Sequence, residues 1–377
     1  MKITGVRAHV LEAALSEPFA YSRAWYSKRT SLIVEIETDQ GLVGWGECYG
    51  PARINAAVVR ELGVSLVGQD ALRSEFLWHD IYARYRDHGQ KGSIIQGLSG
   101  IDIALWDLKG KFFGQPVHRL MGGPIRNQVT AYATGLYRRE SGEPAVYLAE
   151  EAARYCAQGF AAVKLKVGFG VDDDTRVAHA VREAVGAKVT LMVDANHAYD
   201  AVAAIRLGRR IEALDIGWFE EPVPPEDLEG HLQVKSAISI PIASGECEFT
   251  RFGFRGLLER RAVDIVQPDT CAAGGLSECK KIADMAAAHG VRFVPHVWGT
   301  GIALAAALQL LAVTQPWTPM SLGPLEPMLE FDLTEHPVRS ALLVEPIDHV
   351  DGIVAVPTGA GLGIDVDRQV IARFKVD

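Results

Sequence analysis

The sequence lacks the cysteine spacing that is typical of disulfide frameworks and structural zinc sites. Its five cysteines are odd in number and no two of them form a CxxC pair, so both kinds of site are disfavoured. Reduced thiols in a cytoplasmic protein are the prediction.

A basic excess and a long hydrophobic run are also missing. The formal net charge is −9 and the lysines and arginines are scattered, so the chain lacks the basic stripe that nucleic-acid-binding proteins carry. The longest apolar run, Gly301–Val313, contains Gln309 and is too short to span a bilayer. The N-terminal residues mix charges into apolar positions and so lack a signal-peptide core. We expect neither a nucleic-acid nor a membrane partner.

The pattern of apolar residues divides the chain. Residues 1–50 alternate in the manner of a small antiparallel sheet, and from Ala56 to about Gly114 the period becomes helical. Gly122-Gly123-Pro124 then interrupts the helical pattern. We predict an α+β capping domain over residues 1–125, a catalytic domain over 126–349, and a segment, 350–377, that returns to the capping domain.

Short β-branched runs alternate with helical stretches beyond Gln128, as in parallel α/β proteins. The predicted strands are Val129–Thr134, Ala162–Val167, Val189–Val193, Ile216–Phe219, Pro241–Gly245, Val263–Gln267, Val291–Val294 and a weak one around Met320. Eight such units favour a TIM-type barrel over an open sheet. No GxGxxG follows the first strand, which removes the main support for a dinucleotide-binding fold.

Three of these strands end at an acid. Asp194, Glu220 and Glu246 follow successive strands at equal intervals of 26 residues. Active-site groups of a TIM-type barrel lie at the C-terminal ends of its strands, so the three carboxylates should converge. Carboxylates this close repel one another unless a cation lies between them, and hard oxygen ligands suit Mg²⁺. A helix cap or a salt bridge explains a single acid better than three at matched positions.

Candidate bases lie on both sides of this acidic group. Lys164 and Lys166 are two apart on the second strand, so alternation places both on one face. Burial, a neighbouring ammonium and a divalent cation would each lower a lysine pKa and allow one lysine to act as a general base. Asp269 and His296 follow the sixth and seventh strands, where the carboxylate would orient the imidazole and raise its basicity. A structural role for the histidine is the alternative.

This ordered set resembles the enolase superfamily, mandelate racemase subgroup. The motifs are Lys164-Leu165-Lys166, Asp194-Ala195-Asn196, Phe219-Glu220-Glu221-Pro222, Gly245-Glu246, the Asp269/His296 pair, Leu329-Glu330, Trp45-Gly46-Glu47 and Gly100–Lys111. The resemblance covers essentially the whole chain and implies an α+β cap on a (β/α)7β barrel. It also implies Mg²⁺ on the three acids, and abstraction of a proton α to a carboxylate by Lys166 and His296 from opposite faces of the substrate.

The enediolate formed in this way needs electrostatic stabilisation, which Mg²⁺, Lys164 and a protonated Glu330 would supply. The alternative for Glu330 is a solvent-facing acid after the last strand. Asp269 stands where muconate-lactonising enzymes place a lysine, which favours the racemase subgroup and its dehydratases. Within that subgroup the chain resembles galactarolactone cycloisomerases, which open a sugar-diacid lactone by β-elimination. The implied product is a 2-keto-3-deoxy acid.

Several polar and aromatic residues are candidate contacts for a small sugar acid or its lactone. They are Asn196, His197, Tyr21, Arg53, Gln90 and Trp298. The aromatic residues of two predicted cap loops would close over the barrel as a lid or would serve ordinary packing; they are Phe19, Tyr21, Trp25, Tyr26 and Tyr49. Four other functions stay open: an acid-sugar dehydratase, an epimerase or racemase, a Schiff-base aldolase, and a catalytically silent sugar-acid-binding barrel. A homo-oligomer is expected.

Overall fold

The computed structural model describes residues 1–316 and 327–376. The first part of the chain contains β1 (Ile3–Tyr21), β2 (Ala24–Thr38), β3 (Val43–Cys48), α1 (Ala52–Val64), α2 (Ser74–Tyr85), α3 (Ser93–Phe113) and α4 (Val117–Leu120). The second part begins with β4 (Gln128–Thr134), β5 (Arg138–Arg139), α5 (Pro144–Ala157), β6 (Ala162–Lys166), α6 (Val171–Val185), β7 (Thr190–Asp194), α7 (Ala201–Ile211), β8 (Ile216–Glu220) and α8 (Leu228–Ala237).

The chain continues through the remaining strands and helices of the second part. These are β9 (Ile242–Ser244), α9 (Thr250–Glu259), β10 (Ile265–Val266), α10 (Gly275–His289), β11 (Arg292–Phe293), α11 (Gly301–Val313) and β12 (Leu329–Asp332). The last elements are α12 (Pro337–Leu342), β13 (His349–Val350), β14 (Ile353–Ala355) and α13 (Arg368–Phe374). Among the helices described, none combines the length and the apolarity needed to cross a membrane.

The N-terminal sheet is antiparallel, in the order β3-β2-β1-β5. Its β1–β2 hairpin is longer than the small meander that the sequence predicts, because pairing resumes after a register shift and continues to Tyr21 opposite Ala24. Tyr21 and Tyr26, predicted in a loop, therefore lie at the end of a paired hairpin. The two-residue strand β5, which follows β4, pairs with this end through Phe19 and Arg139, so the hairpin is held against the second part of the chain.

A parallel sheet forms the second part of the chain. The strands β4, β6, β7, β8, β9, β10 and β11 are neighbours in chain order, and β12 pairs in parallel with the other edge of β4. Within the described ranges no pairing joins β11 to β12. The observed architecture is therefore an α/β domain with an eight-stranded parallel sheet and an N-terminal α+β cap.

One face of this sheet carries a buried apolar cluster. It contains one side chain from each of seven successive strand regions: Tyr132, Ala162, Met192, Trp218, Ala243, Ile265 and Val294. Strand alternation then places the residues two and four positions further along the same strands on the same face. Lys164 and Lys166 follow Ala162 in this way, and Asp194 follows Met192.

The last strand differs from the sequence prediction. The expected strand around Met320 lies outside the described residues, and Leu329–Asp332 is the strand next to β4. Glu330, expected after the last strand, is the second residue of β12 and is 1% exposed. The alternative of a solvent-facing Glu330 is therefore wrong.

Buried acids of the cap hold the first turns of two helices of the second part. Glu47, at the end of β3, accepts hydrogen bonds from Thr300 N at 2.9 Å and Ala303 N at 3.0 Å, at the start of α11. Asp102 of α3 accepts one from Ser277 N at 2.9 Å in the first turn of α10. Carboxylates are favourable there because the first N–H groups of a helix lack partners. The cap is thereby fixed over the strand ends.

Close approach of β3 to α3 explains a glycine in the Trp45-Gly46-Glu47 motif. A Cβ atom on Gly46 would lie 1.9 Å from the carbonyl oxygen of Gly100. Glycine at both positions lets strand and helix approach closely enough for Glu47 to reach α11.

The C-terminal segment contacts both parts of the chain. Val354 of β14 pairs antiparallel with Val129 of β4, whereas Val376 N donates to Val10 O of the cap strand β1 at 2.9 Å. Between them, Leu362 N donates to the buried Asp107 of α3 at 2.8 Å.

Candidate active site

Three acids meet at the C-terminal ends of β7, β8 and β9. The ligand oxygens of Asp194, Glu220 and Glu246 lie within 4.8 Å of one another. Parallel register brings Asp194 beside Glu220, and Glu246 follows β9 by two residues. This is the convergence that the 26-residue interval predicts, and it makes a group that could hold a metal ion.

Glu220 is buried, and two side chains donate hydrogen bonds to it. Trp218 Nε1 and Gln267 Nε2 donate to its Oε2 atom at 2.9 and 2.8 Å. Burial, together with Asp194 and Glu330, raises the pKa of Glu220 to about 7 even though Lys164 opposes the shift. Burial also acts on Asp194, but there Lys166 and Lys164 outweigh it and lower the pKa to about 2.

The two lysines of β6 pair with different acids. Lys164 Nζ lies 2.7 Å from Glu220 Oε1 and 2.8 Å from Glu330 Oε1. Lys166 Nζ lies 2.5 Å from Asp194 Oδ2 and donates to Asn196 Oδ1 at 3.1 Å. Burial lowers the pKa of each amine, but the adjoining carboxylates outweigh burial and raise it. The sequence predicts a lowered lysine pKa; the structure has the opposite direction because Asp194 contacts Lys166 directly.

Asp269 and His296, which follow β10 and β11, form a buried pair. His296 Nδ1 lies 2.7 Å from Asp269 Oδ2, and its Nε2 atom lies 3.5 Å from Glu246 Oε2. Burial alone would lower the pKa of the His296 imidazole. Glu246, Glu330 and Asp269 outweigh burial and raise this pKa to about 10. The favoured tautomer on loss of a proton keeps the Nδ1 proton on the carboxylate side, which leaves Nε2 as the basic atom.

Glu330 is fixed from three directions. Thr134 Oγ1 donates to its Oε1 atom at 2.6 Å, and Val297 N donates to Oε2 at 3.0 Å. Lys164 Nζ forms an ion pair with Oε1 at 2.8 Å. Burial raises its pKa, but Lys164 and His296 outweigh burial and lower it. The charges therefore favour the carboxylate over the protonated donor that the sequence analysis expects.

These groups open on a cavity of about 140 Å³. Lys166 and His296 both line it, together with Glu246 and Glu330. Four of the predicted substrate contacts also line it: Tyr21, Asn196, His197 and Trp298. The remaining two, Arg53 and Gln90, are exposed and are not among the lining residues.

The cap reaches the cavity through an arginine stacked on Trp298. Arg29 of β2 is 2% exposed, and its guanidinium lies 3.8 Å from the centre of the Trp298 ring and 3.1 Å from Asp332 Oδ2. Stacking and ion pairing together fix the orientation of the indole. The buried Nε1 atom of Trp298 has no hydrogen-bond partner in the described part of the chain.

Two family descriptions match successive parts of the chain. Residues 3–122 match the N-terminal domain of the mandelate racemase / muconate lactonizing enzyme family, and residues 147–370 match the family described as enolase C-terminal domain-like. The chain belongs to the enolase superfamily. Its membership in the mandelate racemase subgroup confirms the resemblance seen in the sequence.

Relatives of this superfamily member include lactone and acid-sugar enzymes. A D-galactarolactone cycloisomerase of Agrobacterium fabrum is 49% identical over 376 residues, covering 100% of this chain and 99% of the relative. An arabinonate dehydratase of Saccharolobus solfataricus is 35% identical, with 91% and 90% covered. The crystal structure of a 3,6-anhydro-D-galactonate cycloisomerase from Zobellia galactanivorans has a TM-score of 0.90 at 40% identity, with 100% of each chain covered.

A further superfamily structure contains magnesium. A racemase from Streptomyces coelicolor with bound magnesium has a TM-score of 0.88 at 28% identity, covering 99% of this chain and 100% of that one. Together with the acidic trio, this match supports a metal-dependent enzyme.

Four more residues line the cavity of this superfamily member. Tyr26 and Tyr49 belong to the cap-loop aromatics, which the sequence predicts as a lid or as packing. The sequence analysis does not predict the other two, Tyr137 and Cys247, as site residues. The Lys166 amine lies 5.4 Å from the centre of the Tyr137 ring. The places of Tyr137 and Cys247 in the sequence are consistent with a role in the site. Tyr137 follows the first parallel strand, and Cys247 follows Glu246 directly.

Proposed function

We propose that the chain removes the proton α to a carboxylate in an Mg²⁺-dependent reaction and thereby opens a sugar-diacid lactone, such as galactarolactone, to a 2-keto-3-deoxy acid. The observation that carries the proposal is the presence of two bases, Lys166 and His296, at one cavity beside the acidic trio. The 49% identity to the Agrobacterium cycloisomerase over the full chain supports the net reaction.

Asp194, Glu220 and Glu246 would hold the Mg²⁺ ion. Three carboxylates fit a hard divalent cation, and the buried Oε2 atom of Glu246 has no hydrogen-bond partner among the residues described. With Asp269 and Glu330 the site has five carboxylates against two lysines and one histidine. If all five were ionised, two negative charges would stay unmatched by the three protonated bases, and the raised pKa of Glu220 reflects its burial together with the neighbouring acids. The bound ion would stabilise negative charge on the substrate carboxylate during deprotonation.

Lys166 and His296 would each serve one face of the α carbon. Proton transfer to a positioned base contributes about 10²–10⁴-fold to a rate, and each base has its own carboxylate partner, Asp194 or Asp269. Lys164, buried and held by Glu220 and Glu330, would donate to the oxygen that becomes negative. Glu330 would act as a positioning residue for Lys164 rather than as a donor.

The β-elimination then follows from the position of the ring oxygen. The electron pair left on the α carbon forms a double bond to the β carbon, and the β carbon–oxygen bond breaks. The ring oxygen leaves as a carboxylate, which is stable without a proton. The resulting enol takes a proton on carbon and becomes the 2-keto-3-deoxy acid.

A dehydratase is the second candidate. A departing hydroxide needs a proton, and His296, whose pKa the surrounding carboxylates raise to about 10, would supply one. The 35% identity to the arabinonate dehydratase favours this reaction class. An epimerase or racemase would need the same two bases with no leaving group.

The proposal includes the finer architecture. We propose that the eight parallel strands close into a (β/α)7β barrel, since seven of them contribute side chains to one interior cluster. The capping domain would comprise residues 1–125, the barrel 126–349 and the returning segment 350–377, and the protein would form a homo-oligomer.

The decisive experiment compares lactone and open-chain substrates. Purified protein with Mg²⁺ is incubated with galactarolactone, galactonate and arabinonate, and proton NMR detects 2-keto-3-deoxy products. We expect the lactone to be turned over with the highest kcat/KM and EDTA to abolish the reaction. Faster turnover of an open acid sugar would favour the dehydratase. Absence of both product and α-proton exchange with D₂O across the panel would favour the silent binding barrel. Activity that survives EDTA, with borohydride trapping substrate on Lys166, would favour the Schiff-base aldolase.

A further inference from the structure

A second group of possible metal ligands adjoins the acidic trio. The ligand atoms of His197, Glu221 and Cys247 lie within 4.8 Å of one another. Glu221 and Cys247 each follow a member of the trio directly, so the same strand ends deliver both groups. The second group differs in chemistry, because it offers an imidazole, a carboxylate and a sulfur.

Glu221 is the residue that calls for a ligand. It is 1% exposed, and the Cys247 side chain is the one hydrogen-bonding neighbour of its carboxyl group among the residues described. Burial, followed by Glu246, Asp194 and Glu220, raises the pKa of Glu221 well above its usual range. Its charged form is therefore costly unless a cation joins it, because buried charges are normally paired or coordinate metals. The two lysines nearby already contact Asp194, Glu220 and Glu330, so the first site leaves Glu221 without a cation.

The backbone brings the three side chains together at some conformational cost. His197 and Glu221 have φ angles of 52° and 42°, in the left-handed region that residues other than glycine rarely adopt. His197 N donates to Glu221 O at 2.8 Å, which ties the two loops together.

We propose that His197, Glu221 and Cys247 form a second metal site that takes a thiophilic divalent cation of the Zn²⁺ class. Sulfur and imidazole ligands favour Zn²⁺ over Mg²⁺. Tetrahedral Zn²⁺ separates its ligand atoms by roughly 3.3–3.8 Å, and the three ligand atoms lie within 4.8 Å of one another, so small side-chain movements suffice to bind the ion. This site goes beyond the proposed reaction, which uses none of its chemistry.

Access to the site comes from the same cavity. His197 and Cys247 line the cavity, whereas Glu221 lies behind them and is not a lining residue. A bound ion would have protein ligands on its buried side and an open position towards the cavity, as in zinc sites with three protein ligands. Because His197 and Cys247 line the same cavity as Lys166 and His296, an ion bound there would compete with substrate for these side chains, so we expect it to inhibit the enzyme.

Co²⁺ is the probe for the test, because a thiolate ligand gives Co²⁺ a charge-transfer absorption in the near ultraviolet. The full chain is first saturated with Mg²⁺, and Co²⁺ is then titrated while absorbance is recorded. We expect the thiolate band in the wild-type protein, with one further equivalent bound. Competition calorimetry with Zn²⁺ under the same conditions measures the affinity.

Two variants test proposed ligands, and a third is the control. Cys247→Ser should abolish the thiolate band and weaken Zn²⁺ binding at least about tenfold, and Glu221→Gln should weaken binding while the thiol stays present. Cys156→Ser is the matched control, because Cys156 is a partly exposed free cysteine on α5, away from the cavity. It should bind both metals as the wild type does. These readouts do not require turnover, so they are independent of the proposed reaction.

Several outcomes would overturn the proposal. A wild-type protein without a thiolate band has no such site, whatever the variants do. Displacement of Mg²⁺ by Co²⁺ at a single site would mean that the acidic trio takes both ions. Retention of the band in Cys247→Ser, or its loss in Cys156→Ser, would place the sulfur ligand elsewhere.

Discussion

His296 contacts Asp269 through Nδ1, at 2.7 Å from Oδ2. Because this contact holds the Nδ1 proton, the Nε2 atom is left as the base. We predict that Asp269→Asn lowers kcat by about 10²–10⁴-fold, the usual contribution of a general base, with a much smaller change in KM. The reason is that an asparagine amide can donate to Nδ1 and so place the ring proton on Nε2.

Steady-state kinetics on the substrate that is turned over fastest checks this prediction. Asp200→Asn is the control, because Asp200 is exposed and caps the N-terminus of α7 through Ala203 N. An unchanged kcat in Asp269→Asn would mean that the carboxylate does not orient the imidazole.

Mg²⁺ affinity should depend on Glu246. Its side chain is 9% exposed and one oxygen has no hydrogen-bond partner in the described chain, so the residue has free capacity for a cation. We predict that Glu246→Gln weakens Mg²⁺ binding by at least about tenfold, measured by calorimetry. Glu248→Gln, two residues later, removes an acid that pairs with Lys91 instead, and it should bind Mg²⁺ normally. Equal affinities for all three proteins would show that Glu246 is not a ligand.

Stability should fall in mild acid because of His336. This side chain is 3% exposed, and its Nδ1 atom accepts from Arg339 N at 3.2 Å. Burial, followed by Arg29 and Arg339, lowers the pKa of His336 to about 2. An unfolded histidine binds a proton near pH 6.5, so below that pH the unfolded state gains a proton that the folded state does not bind. The free energy of unfolding then falls by up to about 1.4 kcal/mol per pH unit.

Urea unfolding at pH 6.5 and pH 4.5 measures this effect. We expect His336 to account for about 2–3 kcal/mol of the difference between the two pH values, and His336→Gln should lose that part of the pH dependence. His179→Gln, at an exposed position of α6, should keep it. The prediction fails if the two variants show the same dependence.

The strand-end acids could be predicted because their signal is local. Asp194, Glu220 and Glu246 each follow an apolar run, and the equal interval of 26 residues repeats the βα unit. The Lys164/Lys166 pair is local in the same sense, since alternation along one strand decides the face.

Other features depend on contacts between distant parts of the chain. Arg29 stacks on Trp298 and pairs with Asp332, about 270 and 300 residues away, and no periodicity connects them. The sequence does not predict the strand Leu329–Asp332, because two of its four residues are acids, which are rare in strands. Those acids are paired with Lys164 and Arg29. The sequence alone also could not show that carboxylates raise the pKa of Lys166.

The central claim is that Lys166 and His296 serve opposite faces of one α carbon, and exchange with D₂O tests it most directly. Each protein is incubated in D₂O with Mg²⁺ and either of two acid-sugar epimers that differ at the α carbon, and proton NMR follows loss of the α-proton signal. Lys166→Ala should suppress exchange with one epimer, and His296→Asn should suppress exchange with the other. Equal loss with both epimers in either variant would contradict the assignment of one base to each face.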